Sequence, residues 1–596
     1  MLVERRRAAF PRDLLMRTGI AWLLVSALLL VINWSAIASY SFPDPDDTLR
    51  LLQVRDLLAG QSWFDVTQTR IDAAGGGVRM HWSRLVDIPL ALVILALTPL
   101  LGTAGAEHAA LVIVPLVTLL LAMLLAARIA WRLMGEDEAT LTILVIALAA
   151  PLLHQLGPMR IDHHGWQLVC AMAAINGLTA RSPERGGRVV GASLATWLAI
   201  SIEGLPLAAA ILAILAWRWL AHHRERIWLV SAMQTFALTG IALFLVTRGI
   251  GDLATYCDAI SPLHLAMFVW GALVLTVLAR FEPMPPVLRL AGFGVAGGGA
   301  AALILSAAPQ CATGGGFSAL DPLVTEFWLR NVKEGQPMWV QDFSTALHYL
   351  APPAIGLASA INLSNRSRDW LRQFWREYAL VLGAAIFISL LVARAGAVAC
   401  LLAAPPFAWQ LQRWLKTARK IEVPARRAGA MLLIALALMP TLPLALGGAI
   451  IPARAASGTG SQATTPRLSQ CRIEDSAASL ATLENGEVFA PLDIAPKLLF
   501  HTDHTVPATA HHRGNDTMRL VIATFIGSSE DARTALTERG SEYLALCLDR
   551  MELSVYQRAN PRGFAADLLS GTRLDWLEPV PTSAGTTLKL YRIMPG

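Results

Sequence analysis

Charged side chains are scarce in this chain. Asp, Glu, Lys and Arg make up 15% of its 596 residues, whereas hydrophobic residues make up 55%. A soluble protein of this length needs far more charge to cover its surface. The composition therefore excludes a soluble globular protein. Long apolar runs at 19–32, 109–127 and 431–451 predict membrane-spanning helices.

The sequence also lacks a nucleic-acid-binding pattern and a removable signal peptide. Its net charge of +6 comes mostly from short Arg and Lys clusters between apolar runs, as the positive-inside rule predicts. We therefore expect no nucleic-acid partner. The first apolar run follows five arginines and has no small-residue cleavage site, which predicts a retained span with a cytosolic N-terminus.

The apolar runs and the basic clusters between them predict thirteen transmembrane helices. Segment 40–105 follows the first span on the outer side. Within it, 89–101 is apolar but short and opens with proline, which predicts a helix at the interface rather than a crossing. The spans are then roughly 18–39, 107–130, 139–154, 166–180, 189–202, 205–220, 227–247, 263–280, 288–308, 345–362, 378–393, 396–411 and 428–451.

Composition changes abruptly after Pro452. We predict a membrane domain over 1–452, a Gly/Ser/Thr-rich linker over 453–467 and a soluble outer domain over 468–596. Segments 487–494 and 543–547 are predicted strands, and 529–539 is a predicted amphipathic helix before the second strand. This order indicates a small α/β domain.

The chain has only six cysteines. The topology places four of them outside, an even number in an oxidising space. Disulfides Cys471–Cys547 and Cys257–Cys311 are therefore predicted, with four free thiols as the alternative. The other two fall inside predicted spans and are expected in the core: Cys170 and Cys400.

Three acidic clusters lie at the outer ends of predicted spans. They are Asp44-Pro45-Asp46-Asp47 with Arg50, Asp162-His163-His164, and Glu334. Ionisable groups at membrane depth are costly and usually mark a site, and clustered carboxylates repel one another unless a cation neutralises them. Aspartate and histidine suit a divalent metal. The alternative for the first cluster is a solvated loop whose aspartates cap a helix.

Further charged residues are predicted on the same side. Arg394 ends a short span, where its fork of donors matches a phosphate; the alternative is a snorkelling interfacial arginine. Glu203 borders the predicted cavity or simply ends a helix. Loop 309–344 is long enough to close over a substrate and carry Glu334 with it. Four histidines match no zinc pattern and are predicted in a solvated loop: His501, His504, His511 and His512.

These features resemble the catalytic subunits of oligosaccharyltransferases, within the GT-C class of membrane glycosyltransferases. The family motif D-P-x-x-x-x-R reads here Asp44 to Arg50, and V-x-E-x-Q-P is matched by Val332 to Pro337. The second acidic motif, D-x-E or D-x-D, corresponds to Asp162-His163-His164, with histidine in place of the second acid. The family arginine near the eleventh span, which contacts the lipid-linked phosphate, corresponds to Arg394.

The chain departs from the family at one motif. The acceptor-reading sequence W-W-D-Y-G is replaced by Pro491-Leu492-Asp493-Ile494-Ala495, which contains no tryptophan. The acceptor predicted from the sequence is therefore not restricted to an Asn-x-Ser/Thr site. It could equally be a lipid, a polysaccharide or a protein hydroxyl.

The resemblance implies a GT-C fold of about thirteen transmembrane helices, in a bacterial inner membrane, with the active site and a C-terminal α/β domain in the periplasm. It implies a polyprenyl-phosphate or polyprenyl-pyrophosphate sugar donor, and Mg²⁺ or Mn²⁺ as cofactor. The implied roles are metal ligation by Asp44, Asp162, His164 and Glu334, donor-phosphate binding by Arg394, acceptor activation by Asp46 or Asp47 beside Asp44, and cavity lining by His163, Arg50, His81 and Glu203.

Two alternatives accompany this prediction. One is a single-sugar transferase of the protein mannosyl or aminoarabinose type, which also uses an outer-loop aspartate. The other is a glycolipid or polysaccharide transporter. A transporter is expected to have pseudo-symmetric halves with broken helices, neither of which the sequence contains.

Overall fold

The computed structural model describes residues 10–312, 315–317, 319–441, 471 and 473–594. The predicted linker and the end of the last predicted span fall outside these residues. The chain forms two compact units. The first comprises 1–41, 82–315 and 333–455, and the second comprises 42–81, 316–332 and 456–596. The second unit thus includes two segments from the N-terminal 452 residues.

Helices dominate the chain up to residue 438. In chain order they are α1 Arg12–Ile32, α2 Trp34–Ala38, α3 Pro45–Leu58, α4 Arg84–Leu133, α5 Glu136–Ala147, α6 Ala150–Leu156, α7 His164–Leu178, α8 Pro183–Ile200, α9 Leu205–Ala221, α10 Arg226–Thr247, α11 Pro262–Arg280, α12 Pro286–Ala307, α13 Pro322–Phe327, α14 Phe343–Arg366, α15 Asp369–Leu391, α16 Gly396–Arg419 and α17 Pro424–Leu438. Helices α3 and α13 belong to the second unit.

Within the described residues, seven helices are long and apolar enough to cross a membrane, or eight if the bent pair α5 and α6 forms one span. The chain is therefore a multi-pass membrane protein, but the predicted number of thirteen is not confirmed. Predicted span 166–180 illustrates why. All but its last two residues lie in α7, which has 15 residues, fewer than the about 20 that cross the hydrocarbon core.

Helix α4 combines two elements that were predicted to be separate. Its 50 residues include both the predicted interfacial segment 89–101 and the predicted span 107–130. The backbone breaks at Gly102, where φ is 70°. A residue with a side chain rarely adopts this left-handed conformation, so glycine permits the bend between the two halves.

Close helix packing and a buried ion pair stabilise the first unit. Glycines on α8 let α10 approach closely, since a Cβ at Gly191 would clash with the Ala232 carbonyl oxygen. Buried Arg218 on α9 pairs with Glu377 on α15 through two hydrogen bonds. Each charge is thereby neutralised where it would otherwise be costly.

The second unit contains a four-stranded sheet. Its helices after residue 472 are α18 Ile473–Leu480, α19 Ala495–His501, α20 Asn515–Ile526, α21 Ser529–Arg539, α22 Met551–Ala559 and α23 Phe564–Ser570. Its strands are β3 Val488–Phe489, β4 Tyr543–Cys547, β5 Leu577–Val580 and β6 Leu588–Ile593, and a hairpin of β1 Thr67–Gln68 and β2 Val78–Arg79 precedes them. The sheet order is β3-β4-β6-β5, with β3 parallel to β4 and the other pairs antiparallel.

Segment 42–81 packs within this second unit. Ile71 forms a parallel bridge with Val506, and the Arg70 guanidinium donates to the Thr502 carbonyl oxygen at 2.7 Å. Arg539 then pairs with Asp72 at 2.9 Å. These contacts fix the segment against residues more than 400 positions later in the chain.

Both predicted disulfides are present. Cys257 and Cys311 are bonded in the first unit with their Cα atoms 5.0 Å apart, and Cys471 and Cys547 are bonded in the second at 5.6 Å. The alternative of four free thiols is therefore wrong. The remaining two cysteines are free and buried, as predicted: Cys170 and Cys400.

Candidate active site

The turn between α6 and α7 presents Asp162 and two histidines in the first unit. The Met159 backbone N–H donates to the Leu111 carbonyl oxygen at 2.9 Å and holds the turn against α4. Asp162 Oδ1 accepts the backbone N–H of His164, the first residue of α7, at 2.9 Å. The aspartate thereby satisfies a helix N–H that has no partner within the helix.

His164 is oriented as a metal-binding histidine is. Its Nδ1 lies 2.7 Å from Asp162 Oδ2, and the His163 ring stacks on it with centroids 4.4 Å apart. Its other nitrogen, Nε2, is buried and has no hydrogen-bond partner among the described residues. Metal-binding histidines usually donate one ring N–H to a carboxylate while the other nitrogen binds the ion. The geometry therefore fits a divalent cation at Nε2.

The charges around Asp162 keep it ionised. Burial by itself would raise its pKa, but the nearby charges of Arg160 and His164 and the His164 hydrogen bond lower the pKa of Asp162 well below its usual value. Burial opposes protonation of His164, yet Asp162 raises the His164 pKa to about 9. A cation at Nε2 must therefore displace the proton that the imidazole holds at neutral pH.

Two arginines and three carboxylates alternate across the site. Arg160 lies 3.0 Å from Asp162 and 3.7 Å from Glu334. Arg394 lies 3.5 Å from the other oxygen of Glu334 and also pairs with Glu203. The Glu334 and Glu203 side chains are 31% and 35% exposed, so this end of the cluster is accessible.

Short 3-10 turns position Glu334 and Arg394. Glu334 lies in the turn Lys333–Gly335, and Arg394 lies in the turn Ala393–Ala395 between α15 and α16. The Ala393 N–H donates to the Gln336 carbonyl oxygen at 3.0 Å and joins the two turns. A backbone hydrogen bond therefore supports the ion pair between Glu334 and Arg394 and limits how far the two side chains can separate.

The metal-ligand set suggested by distance differs from the predicted one. One ligand atom each from His163, His164 and Glu203 lies within 4.8 Å of the others. The sequence assigned His163 and Glu203 only to the cavity lining. Asp162 already accepts hydrogen bonds from His164 through both of its oxygens, which favours an orienting role over direct ligation.

The first acidic cluster belongs to the second unit, where it begins α3. Asp44 Oδ1 accepts the Asp46 backbone N–H at 2.9 Å, so Asp44 does cap a helix, as the alternative interpretation predicted. Asp47 and Arg50 are completely buried, whereas Asp46 is partly exposed. Of the three predicted catalytic aspartates, Asp47 is thus the least accessible to an acceptor.

The prediction of a solvated histidine loop is wrong for two of its four residues. His504 and His511 are 2% and 3% exposed. His504 Nδ1 and Nε2 face the Gly486 and Leu480 carbonyl oxygens, each at 3.2 Å. His511 contacts His81, a predicted cavity residue that also belongs to the second unit. Sequence spacing missed these contacts because the partners are distant along the chain.

Comparison with known proteins finds similarity in three-dimensional structure. No family model matches the sequence, and a search of the curated proteins found no match. The structure is similar to the archaeal oligosaccharyltransferase AglB from Archaeoglobus fulgidus in complex with an inhibitory peptide and a dolichol-phosphate. The TM-score is 0.66 at 16% identity, over 95% of this chain and 72% of that chain.

Two further structures of the Archaeoglobus fulgidus oligosaccharyltransferase are also similar. One is tethered by a disulfide bond to an acceptor peptide containing the NVT sequon, with a TM-score of 0.63 and 14% identity over 98% of this chain and 74% of that one. The other is a complex with Zn and sulfate, with a TM-score of 0.59 and 16% identity over 92% and 70%.

The chain therefore has the fold of the GT-C membrane glycosyltransferases, as the sequence resemblance predicted. More particularly, its fold is similar to that of the archaeal oligosaccharyltransferase over nearly the whole length of this chain.

Proposed function

We propose that this protein is a membrane glycosyltransferase that transfers a sugar or glycan from a polyprenyl-phosphate or polyprenyl-pyrophosphate donor. The observation that carries the proposal is the alternating cluster of Asp162, Arg160, Glu334, Arg394 and Glu203, in a chain with the GT-C fold. The similar archaeal structure contains a dolichol-phosphate, which supports a lipid-linked donor here.

Arg394 is the proposed contact to the donor phosphate. Its guanidinium carries several donors in a fixed plane and already bridges two carboxylates, so it is held in place before the donor arrives. A donor phosphate would take over one of these carboxylate contacts. The arginine then stabilises the negative charge that develops as the sugar leaves, usually a large part of catalysis.

His164 is the best-supported ligand for a divalent cation at the site. His163 and Glu203 are close enough to join it, and the sequence adds Asp44, Asp162 and Glu334 to the proposed set. A bound Mg²⁺ or Mn²⁺ would supply neutralising charge to the leaving phosphate. The archaeal complex with Zn and sulfate supports metal binding within this fold.

The proposed acceptor is activated on the periplasmic side of a bacterial inner membrane. Asp46 is the best candidate to orient or deprotonate it, because this aspartate is partly exposed while Asp47 is buried. The archaeal enzyme was solved with a sequon peptide. This chain has Pro491 to Ala495 where the family has W-W-D-Y-G, so we propose a lipid, polysaccharide or protein acceptor without restriction to that sequon.

The test is transfer from a lipid-linked donor by purified variants. Replacing Asp44, Asp162 or Glu334 with Ala is expected to lower turnover about 100-fold or more, because each removes charge that holds the cation or orders the site. Exposed Asp503→Ala is the matched control and is expected to retain full turnover. Unchanged turnover in all three site variants would contradict the proposal. Comparing monophosphate and pyrophosphate donors distinguishes a single-sugar transferase from an oligosaccharyltransferase.

A further inference from the structure

In the second unit, His81 meets two histidines that are adjacent to each other but distant from it along the chain, His511 and His512. His81 Nδ1 lies 3.0 Å from His511 Nε2, although the residues are 430 positions apart. The His512 ring centroid lies 4.9 Å from the centroids of both other rings. One ring nitrogen from each of the three lies within 4.8 Å of the others. None of the three histidines was assigned as a metal ligand for glycosyl transfer, although His81 was predicted to line the cavity.

The surrounding backbone holds the cluster together. Arg513 Nη1 donates to the carbonyl oxygens of Arg79 and Met80, at 3.3 and 3.2 Å, and so binds the segment preceding His81 to the turn that carries His512. The Phe317 ring packs against His512 with centroids 4.9 Å apart. The histidines are thus brought together by contacts that do not themselves require a metal.

The hydrogen bond between two of the rings shows that a nitrogen of His81 and a nitrogen of His511 face each other. For His81 Nδ1 and His511 Nε2 to bond at 3.0 Å, one nitrogen donates its proton and the other accepts. If that proton moves to the other nitrogen of the same imidazole ring, His81 Nδ1 and His511 Nε2 both become acceptors. No proton is released from the protein in this tautomer change. A cation can then replace the shared proton.

The distances and the donor type favour zinc. Zn²⁺ binds imidazole nitrogen at about 2.0–2.1 Å in tetrahedral sites, which places ligand nitrogens about 3.3 Å apart. The 3.0 Å pair is close to this value, and side-chain rotation by His512 brings in the third nitrogen. Three imidazoles without a carboxylate suit Zn²⁺ and poorly suit Mg²⁺, which prefers oxygen.

We propose that His81, His511 and His512 form a Zn²⁺ site whose fourth position is filled by water. The ion ties the end of segment 42–81 to the turn at 512–514 and stabilises the second unit. The site does not depend on the proposed glycosyl transfer, and its metal differs from the Mg²⁺ or Mn²⁺ proposed there.

Zinc counting in the full-length protein in detergent tests this site. Every protein in this experiment carries His164→Ala and Glu203→Ala, because these substitutions remove the other candidate metal cluster. Each protein is first stripped of metal with a chelator. It is then reloaded with Zn²⁺ in the presence of excess Mg²⁺. One zinc per chain is expected, with at least a tenfold loss of affinity after His81→Ala, His511→Ala or His512→Ala. His501→Ala, from the same histidine-rich stretch, is the control and should bind normally. If zinc binding is unchanged when His81, His511 and His512 are all replaced by alanine in this background, the proposal is overturned.

X-ray absorption provides a test that leaves the cluster intact. The Zn²⁺-loaded background protein, with His81, His511 and His512 unchanged, is expected to show three imidazole nitrogens at about 2.0–2.1 Å from the ion. A first shell dominated by carboxylate oxygen or by sulfur would overturn the site. Because this measurement leaves His81, His511 and His512 unchanged, misfolding caused by replacing them cannot account for its outcome.

Discussion

Arg394 shares its guanidinium between Glu203 and Glu334, and the proposed donor phosphate would have to compete with these carboxylates. Lysine would keep the positive charge but present it as a single point rather than a planar fork. Shape, as well as charge, is therefore expected to determine how tightly the lipid donor binds.

Arg394→Lys tests this directly. The variant is expected to raise the KM for the lipid-linked donor about tenfold or more, because charge-assisted hydrogen bonds contribute about 1.5–3 kcal/mol each. Transfer measured across a range of donor concentrations gives the value. Exposed Arg366→Lys serves as the control. An unchanged KM for Arg394→Lys would show that the fork has no part in donor binding.

A buried pair of carboxyl groups in the second unit makes its stability depend on pH. Burial and the facing Asp493 raise the pKa of Glu552 well above its usual value, and burial also raises the pKa of Asp493. At this pair the folded protein therefore binds more protons than the unfolded chain. The contribution of the pair to stability is fully present below the unfolded-state pKa values and is lost as pH rises through the folded-state pKa values.

Asp493→Asn is expected to reduce this pH dependence. Asparagine removes one of the two charges but can still hydrogen-bond to Glu552. As pH rises above the usual carboxyl pKa values, the melting temperature of the wild type is expected to fall more than that of the variant. Exposed Asp503→Asn should follow the wild type. If the melting temperatures of all three proteins change equally with pH, the pH dependence does not come from the Asp493–Glu552 pair.

The sequence marked several residues of this charged cluster as candidate site residues, but it did not predict which residues they contact. The D-x-H and V-x-E-x-Q-P motifs marked Asp162, His164 and Glu334, and the position of Arg394 at the end of a predicted span marked that arginine. Arg160 was missed as a site residue although it lies two positions before Asp162 and bridges it to Glu334. Such bridging depends on how separate turns meet in the fold, which local sequence does not encode.

At the scale of helices and strands, close packing of α8 on α10 rests on glycine. A Cβ at Gly191 would clash with the Ala232 carbonyl oxygen and the Phe236 backbone nitrogen. Backbone atoms cannot rotate away as a side chain can, so the two helices would have to move apart. Small residues commonly permit this kind of contact between membrane helices.

Gly191→Ala is therefore expected to destabilise the protein by about 1–3 kcal/mol, the range for overpacked sites. Thermal unfolding in detergent provides the measurement. Gly383→Ala is the matched control, because Gly383 lies inside α15 with open space where the alanine methyl group would lie, and alanine favours helix. Equal melting temperatures for the two variants would rule out the packing explanation.

Local patterns predicted some elements well. Helix α21 covers 529–539 and strand β4 covers 543–547, as the amphipathic and apolar patterns indicated. The predicted strand over 487–494 is shorter, because only Val488–Phe489 pairs with β4. After it, the Leu492 and Asp493 N–H groups bond to Glu552, a side-chain contact that replaces strand pairing and that hydropathy cannot reveal.

At the scale of the whole molecule, the sequence predicted a multi-pass protein and its fold class. Positive clusters and apolar runs indicate membrane insertion because they follow directly from the cost of burying charge. The grouping of 42–81 and 316–332 with the C-terminal residues was not predicted. It arises from contacts such as Arg70 with Thr502, which have no counterpart in local composition.

The central claim is that this chain consumes a lipid-linked sugar donor, and the lipid-linked intermediates of a deletion strain test it most directly. Loss of the gene is expected to cause a polyprenyl-linked sugar or glycan to accumulate in the membrane. Wild-type protein should clear it, and a Glu334→Ala protein expressed at the same level should not. Unchanged lipid-linked sugars in the deletion strain, or equal rescue by the two proteins, would contradict the account.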